Sequence, residues 1–210
     1  MTDKKIIVSA LVLSALLIGG AWYYSNTQPP SAAILPSVSP SGAVTETGIL
    51  VGDPAAPVTM EEYSNFLCSA CARFALLTLT EIKKDYISTG KVKMIIYIYP
   101  PYELGKAALC AQEQNKFTEY HDYVFNHQGQ ITGEKDLKDF AANAGLDSAK
   151  FDACYDSGKY NDKVAKWYEE GTQRGVDSTP TFFINGQKLV GAQDYDEFKK
   201  IIDQKLNQAL

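Results

Sequence analysis

The sequence predicts an α/β domain in which a block of helices interrupts a strand–helix–strand unit and a hairpin–helix unit, with one transmembrane helix in front. Three observations carry that expectation. A strand pattern at 58–63 runs into Cys68-Ser69-Ala70-Cys71 at the head of a helical pattern, Asn185-Gly186 separates two apolar runs, and Ile6 to Tyr24 is almost wholly apolar behind Lys4 and Lys5.

Residues 1–5 are expected to be a short cytoplasmic tail. About 20 residues cross a bilayer, so 6–24 reads as a membrane span. The lysines before it place the N-terminus in the cytoplasm, and Trp22, Tyr23 and Tyr24 suit the far interface, which puts the rest of the chain outside. A cleaved signal peptide is the competing reading, because Gly19-Gly20-Ala21 offers small residues before a cut site. Residues 25–47 then turn to Ser, Pro, Ala, Thr and Val, with Pro29, Pro30, Pro36 and Pro40 among them. They hold no apolar period and are expected to form a disordered linker spanning roughly 25 Å as a coil. A tether is useful only when its N-terminal end is held, which favours a retained anchor in the cell membrane.

The folded part is expected over 48–210, long enough for one domain with a sizeable core. The chain has a net charge of −5, of which the first five residues contribute +1 and the rest −6. An acidic domain argues against nucleic-acid binding. Val58, Met60 and Glu62 alternate with Thr59, Glu61 and Tyr63, the period of a strand. Cys71, Ala75, Thr78, Ile82 and Tyr86 then recur at helical spacing, with Phe74, Leu77 and Leu79 widening the apolar face.

Cys68 would stand at the N-terminus of that helix, where unpaired N–H groups and the helix dipole favour a thiolate. A lowered thiol pKa raises the fraction of nucleophile and improves the same sulfur as a leaving group. Cys71, one turn inward, is harder to reach. Two other readings compete with redox chemistry. An inert structural disulfide is one, and half of a zinc site is the other. The zinc reading lacks its second half: Cys110 and Cys154 stand singly, and His121 and His127 would point about 120° apart on a helix.

Lys91 to Tyr99 is rich in β-branched and aromatic residues, as a buried central strand should be, and Pro100-Pro101 stops it. Helical patterns follow over Glu103 to Asn115, Phe117 to His127, and Glu134 to Ala144 before Gly145. Asp147 can cap a short helix with Phe151 and Cys154, and Ser157-Gly158 separates it from one with Val164, Trp167 and Tyr168. These helices make an insertion at about 102–175. Thr181 to Ile184, Asn185-Gly186 and Lys188 to Val190 form a hairpin signal, because Asn and Gly tolerate positive φ. A last helix opens at Asp194 with Glu197 three residues on, and Tyr195, Phe198, Ile202 and Leu206 form its apolar face. That order of elements is the arrangement of a thioredoxin fold with a helical domain inserted between its two halves.

At this point three separated motifs resemble a known family. Gly52-Asp53-Pro54-Ala55-Ala56-Pro57-Val58-Thr59 leading to Glu62-Tyr63-Ser64 and Cys-x-x-Cys is one. Ala107-Ala108-Leu109-Cys110-Ala111 through Lys116-Phe117 and Tyr120-His121 is the second, and Gly175-Val176 through Thr179-Pro180-Thr181-Phe182-Phe183-Ile184-Asn185-Gly186 is the third. Over roughly 48–205 the chain resembles the DsbA-like thiol:disulfide oxidoreductases of the thioredoxin superfamily, in a membrane-anchored form.

The resemblance implies catalysis by Cys68 and Cys71, and a cis Thr179-Pro180 bond against the pair that leaves the Thr179 backbone free for an extended substrate. It also implies a buried acid at Glu62, six residues before Cys68, able to exchange a proton with Cys71. Glu61 competes for that role, and the strand alternation favours Glu62. Some relatives carry a further cysteine pair in the insertion, matching Cys110 and Cys154. A disulfide there would close a loop of about 45 residues, worth up to about 4 kcal/mol of chain entropy. The dipeptide Ser69-Ala70 departs from the proline or histidine common in the family, which predicts a milder oxidant.

The expected function is therefore extracytoplasmic disulfide formation in exported proteins through a dithiol/disulfide cycle, with no cofactor or metal. The expected partners are thiol-containing exported proteins and a membrane quinone reductase of the DsbB or vitamin-K-epoxide-reductase type. Without the separate dimerisation domain of the dedicated isomerases, the chain is expected to be a monomer. The alternatives are a reductase or isomerase of the same fold, or a non-catalytic binding or chaperone module.

Overall fold

A central parallel pair of strands sets the architecture: β2 (Val58–Ser64) lies beside β3 (Val92–Ile98), with Glu62 opposite Ile96 and Ser64 opposite Ile98. A parallel pair needs a crossover, and helix α1 over residues 69–87 supplies it. β4 (Thr181–Ile184) pairs antiparallel with β2 on the other side, and β5 (Gln187–Val190) closes that edge through the hairpin at Asn185, φ 42°, and Gly186, φ 81°. With β1 (Ile49–Val51) on the outer side of β3, the sheet order is β1-β3-β2-β4-β5. The computed structural model describes residues 48–208, so the expected tail at 1–5, span at 6–24 and linker at 25–47 lie outside the described residues. Among the described residues no helix is long and apolar enough to cross a membrane.

The edge strand β1 (Ile49–Val51) is absent from the sequence reading. Three residues cannot display an alternation, and the strand exists because β3 offers it an antiparallel ladder from Ile49 opposite Ile96 to Val51 opposite Met94. The insertion runs α2 (Tyr102–Glu113), α3 (Phe117–Asn126), α4 (Glu134–Asn143), α5 (Ser148–Asp156, capped by Asp147) and α6 (Asn161–Gln173). A Cys110–Cys154 disulfide joins α2 to α5 across a sequence separation of 44. The last helix, α7, is Tyr195–Gln208.

Helix α1 departs from the expected face. Leu77 is 63% exposed, while Phe74, Ala75, Leu79, Ile82 and Tyr86 are buried. Along the helix, α-helical Ser69–Arg73 and Leu79–Ile82 are each followed by a π-helical turn, Phe74–Thr78 and Lys83–Ile87. The buried residues keep the 3.6-residue period, on which Leu77 stands about 120° from Cys71, so its exposure follows from that period and only its apolar character pointed inward. Phe74 packs against Phe182 of β4 at 4.5 Å and Phe198 of α7 at 5.2 Å between ring centroids, which fixes the helix on one sheet face.

The insertion covers the opposite face. Tyr63, on the face that alternation would leave to solvent, is buried, stacked on Tyr97 at 4.6 Å and edge-on to Tyr99 at 5.4 Å. Trp167 of α6 meets Tyr97 at 5.8 Å. Gly171 permits this close approach, because a Cβ there would fall 1.8 Å from the Tyr99 hydroxyl and 2.7 Å from the Tyr63 ring. Just beyond α6, Arg174 donates to both Glu61 oxygens at 2.7 and 2.8 Å and to the Tyr63 hydroxyl at 2.9 Å, with its guanidinium 3.9 Å from the Phe183 ring centroid. Glu61 is thus occupied in holding the insertion to the sheet. Gly171→Val should lower stability by about 1–3 kcal/mol through overpacking, seen as a fall in the urea midpoint; an unchanged midpoint would contradict the close packing described.

Candidate active site

β2 ends at Ser64 and delivers the chain into a turn built by its own side chains. Asn65 accepts from the Leu67 N–H at 2.7 Å through its side-chain oxygen, its backbone carbonyl accepts from the Cys68 N–H at 3.0 Å, and its amide donates to the Pro100 carbonyl at 2.5 Å. Phe66 is fully buried among Tyr120, His121 and Phe125 of α3, and its carbonyl accepts from Gln128 at 2.7 Å. The insertion therefore anchors the residue two positions before Cys68. Sequence reasoning missed Asn65 and Phe66. An Asn opening a turn was the available signal for the first, but the pocket for Phe66 belongs to a helix more than fifty residues on and leaves no local trace.

Cys68 is the N-cap of α1, half-buried, and its sulfur accepts from the Cys71 N–H at 3.4 Å. Its thiol donates to the Thr179 carbonyl at 3.2 Å. The Thr179-Pro180 bond is cis, and so is Pro100-Pro101, which the sequence reading treated only as a strand stop. Cys71 is fully buried, and Glu62 lies fully buried beneath it with both oxygens lacking a hydrogen-bond partner. Cys68, Cys71, Glu62, Thr179 and Pro180 are thus gathered in one place. Cys110 and Cys154 are apart from it, bonded to each other within the insertion.

The profile of the thioredoxin family matches residues 44–204. The chain belongs to that family. A probable disulfide bond formation protein D of Bacillus anthracis is 27% identical over 171 residues, covering 75% of this chain and 78% of that protein. Among solved structures, alpha-DsbA1 of Wolbachia pipientis superposes with a TM-score of 0.67 at 29% identity, covering 76% of this chain and 91% of that one. Oxidised BdbD of Bacillus subtilis gives the same TM-score at 24% identity, with 81% and 98% covered, a likeness of fold.

Within this thioredoxin-family site the two thiols are driven apart in acidity. Burial raises the Cys68 pKa, but hydrogen bonding from the Thr179 side chain and from the N–H groups of Cys71 and Ala70 outweighs it, so the thiol lies below its ordinary value. Burial pushes the Cys71 thiol far up, and the neighbouring Glu62 carboxylate and Cys68 push it further. Burial also raises Glu62 from 4.5 to about 7, against only partial relief from nearby Ser64 and the positive charge of Lys83. His121, whose Nδ1 lies 2.8 Å from Asp122, is held below its usual pKa by burial and packs as a neutral ring against Phe66.

A buried carboxyl with a raised pKa stabilises the fold only while it stays protonated. Its cost appears as pH rises from 4.5 to about 7. For a shift of that size the cost approaches about 3 kcal/mol. Glu62→Gln should therefore match the wild type in stability near pH 4.5 and exceed it increasingly up to pH 8. Denaturant titrations of both reduced proteins across that range check this; parallel pH curves would show that Glu62 ionises as an exposed acid does.

Proposed function

We infer that this chain is a thiol:disulfide oxidoreductase that forms disulfides in exported proteins, working outside the cytoplasm from a membrane anchor at 6–24. The observation that carries the chemistry is the Cys68 sulfur at the head of α1, 3.2 Å from the carbonyl that precedes cis Pro180, with Glu62 buried under Cys71. The name of the Bacillus anthracis relative, a disulfide bond formation protein, supports the same direction of electron flow.

In the oxidised pair a client thiolate attacks the Cys68 sulfur. The Cys68–Cys71 bond breaks, and Cys71 leaves as a thiolate that takes a proton from the Glu62 carboxyl. A second client thiolate then attacks the client sulfur of the mixed disulfide. Cys68 is displaced, and its lowered pKa suits it to leave. The client gains a disulfide, and two electrons rest on the cysteine pair as thiols. In the reverse sense, Glu62 takes the Cys71 proton as Cys71 attacks a mixed disulfide. A pKa of about 7 serves both directions near neutral pH. Client backbone laid along Thr179 would orient the attacking sulfur. A membrane quinone reductase of the DsbB or vitamin-K-epoxide-reductase type would reoxidise the pair, and the linker at 25–47 would give it reach.

Cys68→Ser should abolish disulfide formation in a reduced client, whereas Cys71→Ser should accumulate a client–Cys68 mixed disulfide on non-reducing gels. A Cys68→Ser variant that still oxidises clients would refute this mechanism. The reduction potential separates the directions: about −120 to −180 mV indicates an oxidant or isomerase, and a value near −270 mV a reductase.

A further inference from the structure

Beside the catalytic pair lies an open cleft of about 710 Å³, between the loop after β3, the end of α6 and the segment leading to Thr179. Three tyrosine rings line it: Tyr99, Tyr102 and Tyr168, with Tyr102 and Tyr168 well exposed and Tyr99 edge-on to Tyr168 at 5.4 Å. The Tyr99 hydroxyl is buried without a hydrogen-bond partner. Asp177 is the charged side chain of the lining, and it is exposed, with the Ser178 hydroxyl donating to it at 3.1 Å. Among the described residues no cationic side chain lines the cleft, and Lys188, which reaches its edge, is committed to the carbonyl of the lining residue Gly175 at 2.7 Å. The nearby Arg174 is turned away, committed to Glu61, Tyr63 and Phe183.

We propose that this cleft is a specificity subsite for a basic side chain, Arg or Lys, that flanks the client cysteine. The inference rests on the oxidoreductase reading and narrows its clients. A cation is attracted by the faces of tyrosine rings and by a carboxylate, whereas an acidic side chain meets repulsion from Asp177 and gains nothing from the rings. Guanidinium, planar and weakly hydrated, suits such a wall better than ammonium. The reach is right as well. Thr179 lines the cleft and its carbonyl holds the Cys68 thiol, so a client cysteine bonded to Cys68 lies next to the cleft mouth. An extended client chain advances about 3.3 Å per residue, which brings a side chain one to three residues from its cysteine over the rings. The negative charge of the whole domain draws basic segments in the same sense.

The test uses the full-length oxidised protein in detergent and three peptides with one cysteine each, differing only in Arg, Leu or Asp near that cysteine. The rate of disulfide exchange is followed at low and high salt. The Arg peptide should react about 3- to 10-fold faster than the Asp peptide at low salt, with Leu between them. That ratio should shrink as salt screens Asp177, and should fall toward one in Asp177→Asn and in Tyr168→Leu. The ratio within each variant is the readout, since a merely destabilised protein slows all three peptides alike. Equal rates, a fastest Leu peptide, or a preference undiminished in Asp177→Asn would overturn the subsite and leave the oxidoreductase reading intact. Failure of all three peptides to exchange would overturn that reading and the subsite with it.

Discussion

The contact on which the site depends is the hydrogen bond from the Cys68 thiol to the Thr179 carbonyl, between residues 111 apart in sequence. Neither end can be placed locally. Cys68 is positioned because β2 hands the chain into the Asn65 turn and the N-terminus of α1, and Thr179 because β4 pairs antiparallel with β2, with Thr181 opposite Tyr63. The sheet therefore serves as a jig: β2 carries one partner at its C-terminal end and β4 brings the other to the same level. With the cis bond at Pro180, the carbonyl faces the sulfur.

Beneath that contact the fold buries a carboxyl that it does not satisfy. Glu62 stands on the apolar side of β2, facing α1, without a protein partner for either oxygen. A stable design would place an apolar residue there. Keeping an acid whose pKa is raised to about 7 costs stability at neutral pH and leaves a titratable group beside a thiol that burial keeps protonated. The neighbouring Glu61 shows how one residue of register decides a role. Its side chain points to the other face and pairs with Arg174.

The inserted helices do more than enlarge the core. They bury the second face of the sheet through Trp167, Gly171 and Arg174, and they hold Phe66 in an aromatic pocket just ahead of Cys68. The same helices wall the tyrosine-lined cleft on the far side of Thr179. One structural block thus positions the Cys68 sulfur and shapes the surface next to it.

The sequence by itself determined what is periodic or punctuated. The alternation at 58–63 set β2 and the inward side of Glu62, Asn185-Gly186 set the hairpin, Asp147 its helix start, and the Cys-x-x-Cys spacing put Cys68 at a helix N-terminus. These features arise from steric and hydrogen-bonding preferences within a few residues, so they are written locally. Tertiary structure alone decided the rest. β1 has too few residues to show a period and forms only because β3 is there to pair with it. The burial of Tyr63 under α6 follows from what its side chain meets across the fold. The acidity of Cys71 and Glu62 is likewise a property of their surroundings: desolvation and neighbouring charge exist only once the chain has closed around them.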